Sequence, residues 1–96
     1  MTEQEMIKIF KALSVGSRLQ ILKLLKHSEL CVNAITKKLS ITQPAVSQHL
    51  SILKEAGLVR SDRHGSIIHY SINLTRLDDF KTSVKKHLGE EFILLK

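Results

Sequence analysis

Polar side chains without charge follow one another at helical spacing near the middle of the chain. Val46, Leu50 and Leu53 fall at i, i+4 and i+7, which predicts the buried stripe of a helix. Helical geometry then places the polar set on the outward face. Its members are Gln43, Pro44, Ser47 and Gln48. A Gln amide can form two hydrogen bonds with adenine, and a Ser hydroxyl can bond to any base. The pattern favours a helix that contacts base edges in a major groove; the alternative is an ordinary polar surface helix.

Positively charged and polar side chains surround this helix in the sequence. The chain has 15 Lys and Arg against 9 Asp and Glu, a formal charge of +6, which suits a polyanionic partner such as double-stranded DNA. The candidates for phosphate contacts are Lys37, Lys38, Thr42, Lys54, Arg63 and His64. Such contacts add affinity and register without sequence information. Each charge could instead be simply solvated, and His49 is as suited to packing or to a phosphate contact as to reading a base.

Other reactive side chains show no arrangement typical of catalysis. The sequence contains no nucleophile–base pair, no Gly-rich phosphate loop and no metal motif, so we expect neither an enzyme nor a cofactor. His27, His64 and His69 lack ligand spacing, which predicts surface roles. Cys31 is the only cysteine, so an intrachain disulfide is excluded. It is either a small apolar residue at the start of a helix or a redox-sensitive thiol.

Nothing in the sequence indicates a membrane protein. The apolar runs are too short to cross a bilayer. The first residues, MTEQEMIKIF, carry acids where a signal peptide carries bases. We therefore expect a cytoplasmic protein without a membrane partner.

Apolar periodicity and capping residues predict the elements that position these side chains. A first helix spans about 3–13, and a second, capped by Ser17, follows. A short third helix spans about 32–39, and Thr42 and Gly57 cap the ends of a fourth. The period then changes: strands at 58–63 and 67–72 flank a turn at 64–66, and a last helix spans about 75–88 before Gly89. The final segment, EEFILLK, has no predicted element.

This order defines a fold class. Helix-helix-helix-helix-strand-strand-helix, with two short helices joined by a tight turn, is a winged helix-turn-helix: mainly α with a β-hairpin. The length predicts a single domain over residues 1–96 for DNA binding and dimerisation.

An apolar stripe on the last helix predicts a homodimer. Its members, with two residues of the first helix that can pack beside them, are Ile9, Phe10, Leu77, Phe80, Val84 and Leu88. Left exposed, this stripe would be an unusually large apolar patch.

Three stretches resemble the ArsR/SmtB family of winged-helix repressors. They are FKALSVGSRLQILKLL, ELCVNAITKKLSITQPAVSQHLSILKEAGLV and RHGSIIHYSI. The resemblance implies a homodimer that binds an imperfect inverted repeat in a promoter and releases DNA when an inducer binds. It also implies that Gln43, Pro44, Ser47 and Gln48 face the major groove and that the hairpin around Arg63 is the wing.

The family's sensing residues are incomplete. Cys31 matches the first cysteine of the family's thiolate motif, but Asn33 replaces the second. On the last helix, His87 and Glu90 match one ligand pair, while Leu74 and Arg76 replace the other. Two ligands are too few for a closed zinc site, so we expect no metal there and the inducer is unknown.

The function predicted is that of a sequence-specific transcriptional regulator, a homodimeric repressor. One alternative is a DNA-binding protein that is independent of ligands or responds to thiol oxidation. Another is a protein-interaction winged helix, which would need an apolar or acidic surface where Gln43, Ser47 and Gln48 lie.

Overall fold

The computed structural model describes residues 1–91 and contains five helices and three strands within them. The elements are α1 Glu3–Leu13, α2 Gly16–Leu25, β1 Leu30–Cys31, α3 Val32–Leu39, α4 Gln43–Glu55, β2 Val59–His64, β3 Ile67–Ile72 and α5 Leu74–Leu88. The predicted winged helix-turn-helix is confirmed. Residues 92–96 of the EEFILLK segment lie outside the described residues. None of the helices within residues 1–91 has the length and apolar character to cross a bilayer.

The N-cap of α2 lies two residues before the predicted Ser17, and the C-cap of α4 lies one residue before the predicted Gly57. Val15 is the N-cap of α2 and makes no side-chain hydrogen bond, because its apolar side chain has no acceptor. Its carbonyl accepts from the N–H groups of Arg18 and Leu19, and Ser17 lies inside the first turn. Thr42 does cap α4, accepting a 3.3 Å hydrogen bond from the N–H of Ala45. The C-cap of α4 is Ala56, so Gly57 lies one position beyond the cap.

Gly57 forms the C-terminal stop of α4. Its φ is +81°, in the left-handed region that glycine adopts without a Cβ clash. The N–H of Leu58 donates to Leu53 O and that of Gly57 to Lys54 O, both at 2.9 Å. This is the pair of bonds of a Schellman motif. Because the N–H of Leu58 closes the helix, β2 begins at Val59 rather than at 58.

The hairpin is part of a three-stranded antiparallel sheet with the order β1-β3-β2. Val59 pairs with Ile72 and His64 with Ile67, so Gly65 and Ser66 alone form the turn. Gly65 has a φ of +67°, as the first central residue of a type II′ turn requires. The sequence analysis missed β1, whose Cys31 pairs with His69.

The core lies between the helices and the inner face of the sheet. The predicted stripe of α4, Val46, Leu50 and Leu53, is fully buried. Ile9 and Val84 are buried as well, at 0% and 2% exposure within a single chain. Their prediction as dimer-interface residues is therefore corrected, because side chains already covered by their own chain offer no surface to a partner.

The last helix closes the domain against α1. It begins at Leu74, one residue before the predicted start, because Asn73 caps it by accepting a 3.2 Å hydrogen bond from the N–H of Arg76. The rings of Phe10 and Phe80 meet edge to face with centroids 5.0 Å apart. Such pairs stabilise a contact beyond the apolar area that they bury.

Candidate DNA-binding surface

The outward face of α4 presents the predicted polar set to solvent. The stripe through Val46, Leu50 and Leu53 is buried on the opposite side of the helix. The exposed residues include Gln43, Pro44, Ser47, Gln48 and Ser51. These short or neutral side chains let a helix approach base edges closely, and their amides and hydroxyls can donate and accept hydrogen bonds there.

A tight connection sets α4 against α3. Ser40 has a φ of 54°, the left-handed conformation, and its N–H donates to Thr36 O at 2.9 Å. The chain thereby reverses within Ser40, Ile41 and Thr42, the last of which already caps α4. Two short helices joined in this way form a helix-turn-helix, in which α4 is the recognition helix.

The candidate phosphate-contacting side chains divide into exposed ones and ones with an internal partner. Lys37 and Lys38, in the last turn of α3, and Arg63, near the end of the hairpin, are exposed. The Nζ atom of Lys54 donates a 2.6 Å hydrogen bond to the hydroxyl of Ser61. The Nε2 atom of His64 lies 3.3 Å from the carboxylate of Asp62.

His49 faces the core side of α4 and packs against α2. The guanidinium of Arg18 lies 3.3 Å from its Nδ1 atom, and Arg18 also donates to Ala12 O at 2.7 Å. Because Arg has only donors, Nδ1 must accept, which leaves the ring neutral with its proton on Nε2. Burial lowers the pKa of His49, and the positive charge of Arg18 lowers it further. Of the roles left open by the sequence, which are packing, a phosphate contact and base reading, these contacts favour packing.

Hydrogen bonds link the C-terminal end of the recognition helix to α5 and to Asn73, the residue that caps α5. Asn73 donates a 3.0 Å bond from Nδ2 to Gly57 O. The Nε atom of Arg76 donates to Ala56 O at 3.4 Å, and its Nη2 atom lies 3.1 Å from a carboxylate oxygen of Glu5. The backbone hydrogen bond from Thr2 lowers the pKa of Glu5 most, and Arg76 lowers it further. Arg76 therefore joins α5 to α1 and to the end of α4.

The residues at the family's last-helix metal site do not fit a metal ion. Arg76, at one ligand position, is held in the ion pair with Glu5. The Nδ1 atom of His87 lies 2.8 Å from Ser83 O, and Glu90 pairs with Lys85 at 3.7 Å. A guanidinium at a ligand position repels a dication. No group of three candidate metal ligands within residues 1–91 contains His87 or Glu90.

Cys31 is partly exposed and lies at the junction of β1 and α3. It is the N-cap residue of α3 but makes no side-chain capping bond. The sequence placed it at the start of this helix, where the structure has it. With Asn33 exposed beside it, no second thiol completes the family's thiolate site.

A group of side chains that the sequence analysis assigned only surface roles converges at the wing. Single ligand atoms of Glu29, His64 and His69 all lie within 4.8 Å of one another. Glu29 is far from the two histidines in the sequence, and His64 and His69 lie on different strands on either side of a turn, so ligand spacing gave no sign of the group. A two-residue turn was the signal that could have revealed the two histidines, because its register places Asp62 opposite His69 and puts His64 two residues further along β2 on the same face.

A recognition helix with a neutral polar face, a helix-turn-helix and a wing together define a DNA-binding domain. The family described as "Bacterial regulatory protein, arsR family" matches residues 16–61. The transcriptional repressor SdpR of Bacillus subtilis (strain 168) is 40% identical over 74 residues, which cover 77% of this chain and 82% of that protein. The chain belongs to the ArsR family, and it is a DNA-binding regulator of transcription rather than an enzyme.

Two solved structures agree with this assignment. An ArsR-like transcriptional regulator from Rhodococcus sp. RHA1 superposes with a TM-score of 0.84 at 27% identity, covering 93% of this chain and 83% of that one. The homodimeric winged helix-turn-helix domain of Mb0332 from Mycobacterium bovis superposes with a TM-score of 0.74 at 32% identity, covering 88% and 82%.

Proposed function

We propose that this protein is a homodimeric repressor that binds an inverted repeat in promoter DNA, with α4 in the major groove and the β2–β3 wing beside it. The observation that carries the proposal is the division of charge on this surface. The outward face of α4 is neutral and polar, whereas cations flank it on α3 and on the wing. That arrangement suits base contacts in the centre and phosphate contacts at the edges.

Each group of side chains has a distinct role in this proposal. Gln43, Pro44, Ser47 and Gln48 contact base edges, and Lys37, Lys38 and Arg63 contact phosphates. Thr42, Lys54 and His64, which also stand as phosphate candidates, have internal partners that compete with DNA. A polar recognition face argues against a protein-interaction winged helix.

Exposed apolar side chains on α1 and α5 support the dimer. Ile7 is 42% exposed, Phe10 38%, Leu74 67% and Leu88 55%. Apolar groups clustered on one surface favour association. Mb0332, which is similar to this chain, is a homodimer. Two recognition helices related by a two-fold axis would meet successive major grooves about 34 Å apart.

Sedimentation of matched variants tests the dimer. The native chain should sediment at about twice its 10.9 kDa mass at micromolar concentration. Leu88→Glu should shift it towards monomer, because a carboxylate would be buried at the interface. Leu19→Glu is the control, since Leu19 is 51% exposed but lies on α2. A native chain that sediments as a monomer would refute the dimer.

Selection of bound sequences from random DNA tests the proposed function. The enriched sequences should contain an inverted repeat. Gln48→Ala should relax base preference and make the free energy of binding to the preferred site less favourable by roughly 1–3 kcal/mol. Gln20→Ala, an exposed glutamine of α2, is the control and should leave the selection unchanged. If Gln48→Ala leaves the ranking of sequences unchanged, the assignment of α4 to the groove is wrong.

Repression of a promoter also bears on where in the cell the protein acts and on whether an inducer controls its binding to DNA. A regulator of this kind would act in the cytoplasm, where it can reach promoter DNA. The same selection, repeated with zinc, arsenite and thiol oxidants, would separate an inducible repressor from one that binds DNA without any ligand.

A further inference from the structure

The outer face of the wing brings together one carboxylate and two imidazoles. The Nε2 atom of His64 lies 3.8 Å from a carboxylate oxygen of Glu29. The rings of His64 and His69 meet edge to face, with centroids 4.6 Å apart and planes inclined by 85°. Together with Glu29, they form the group whose ligand atoms lie within 4.8 Å of one another.

The sheet register explains this convergence. His69 on β3 pairs with Asp62 on β2 and with Cys31 on β1. His64 lies two residues beyond Asp62 on the same strand, so its side chain leaves the sheet on the same face. Glu29 immediately precedes β1 and reaches this face from the other side of β3. Backbone pairing therefore holds the strands that carry both histidines.

One nitrogen of the group lacks a partner. The Nδ1 atom of His69 is shielded from solvent and makes no hydrogen bond within residues 1–91. A buried polar atom without a partner destabilises the fold and calls for an explanation. Coordination of an ion through this nitrogen would satisfy it.

We propose that Glu29, His64 and His69 form a binding site for a divalent transition-metal ion such as Zn²⁺. Two imidazoles and one carboxylate are a donor set that zinc accepts in proteins, with water in the fourth position. Ligands around tetrahedral zinc lie about 3.4 Å apart, given metal–ligand distances near 2.1 Å. The side chains of His64 and Glu29 are about half exposed, at 48% and 53%, so both can turn to close the remaining gap.

This site differs in place and composition from the sites that the family resemblance implied. It uses neither the pair His87 and Glu90 on α5 nor a thiolate at Cys31. It lies instead on the hairpin that we place beside DNA, although metal binding itself does not depend on that role. A zinc experiment can therefore succeed or fail independently of the DNA-binding experiments.

Titration of the untagged 96-residue chain tests the proposal. Zn²⁺ binding is followed by calorimetry and Co²⁺ binding by its visible absorption. We expect one ion per chain. We also expect the ring ¹⁵N signals of His64 and His69 to shift on zinc addition, while those of His27 do not.

Three ligand variants and two control variants decide which side chains bind. His64→Ala, His69→Ala and Glu29→Gln should each weaken binding by more than about 100-fold, the upper end of what loss of an outer-shell partner costs. His87→Ala and Cys31→Ser should bind like the native chain. Far-ultraviolet circular dichroism checks the fold of His69→Ala, and His64→Ala, at an exposed position, keeps the test valid if that variant unfolds.

The outcomes separate this site from its rivals. Loss of binding in the ligand variants alone supports the proposal. An absence of binding, binding that survives both His64→Ala and Glu29→Gln, or loss in His87→Ala or Cys31→Ser would each overturn it.

Discussion

Substitution of Gly57 by Ala should destabilise the protein through two separable effects. The φ of +81° would place an L-residue in the left-handed region, at a cost of roughly 1–2 kcal/mol. A Cβ atom would also lie 2.9 Å from Nε of Arg76, so that side chain must move. Loss of its hydrogen bond to Ala56 O adds about 0.5–1.5 kcal/mol. We expect a total of roughly 1.5–3.5 kcal/mol.

Gly65→Ala is the matched control. Gly65 has a φ of +67°, but no atom lies within 4 Å of the position that its Cβ would take. This substitution should therefore show the backbone cost of a positive φ without any contact with another side chain. Urea denaturation at one fixed protein concentration measures both, since association would otherwise shift the apparent stability.

A second background tests the cause. In an Arg76→Ala chain the contact with the new Cβ is gone, so the cost of Gly57→Ala should fall to the backbone effect, while the cost of Gly65→Ala should be the same as in the native background. A cost of Gly57→Ala that does not change between the two backgrounds would refute the role given to Arg76. A cost of Gly65→Ala that changes as much as that of Gly57→Ala would show that the effect of Arg76 is not local to Gly57.

Three further predictions concern α4 and its surroundings. Thr42→Ala should lower the free energy of unfolding by about 1 kcal/mol, because the N-cap hydrogen bond is lost; urea denaturation measures the change. An unchanged midpoint of the urea transition would show that this hydrogen bond does not stabilise the protein. Lys38→Ala should weaken binding to all DNA sequences alike and should reduce the slope of log affinity against log salt concentration by about one unit. A change in the ranking of the bound sequences would contradict a phosphate contact. The pKa of His49 is lowered on folding, so its contribution to stability is present above the ordinary value near 6.5 and is lost as the pH falls through the folded value. His49→Gln should therefore flatten the loss of stability below about pH 6.5, and an unchanged pH profile would contradict it.

The sequence was sufficient to predict α4 because two local signals agreed. The capping residue Thr42 and the stripe Val46, Leu50 and Leu53 both depend on neighbours within a few turns. The outward face followed from that stripe by geometry alone.

Non-local contacts account for what the sequence could not predict. Periodicity identifies an apolar face but not the surface that covers it, so Ile9 and Val84 were assigned to a partner chain although their own chain buries them. Likewise, β1 is two residues long and exists through its pairing with β3, and Glu29 reaches His64 only after that pairing has formed. Such contacts depend on tertiary structure rather than on spacing.

The abrupt ending of α4 limits how this protein can be regulated. Three residues, Ala56 to Leu58, separate the helix from β2, and the carbonyl groups of Ala56, Gly57 and Leu58 are each hydrogen-bonded to α5 or to the residue that caps it. The recognition helix and the wing therefore cannot change their orientations independently, because no hinge lies between them. In the proposed dimer, release from an operator would come from a change in the distance or angle between the two subunits' DNA-binding surfaces, each made of α4 and the wing. The segments that join the subunits, rather than those that touch DNA, would then control occupancy of the promoter.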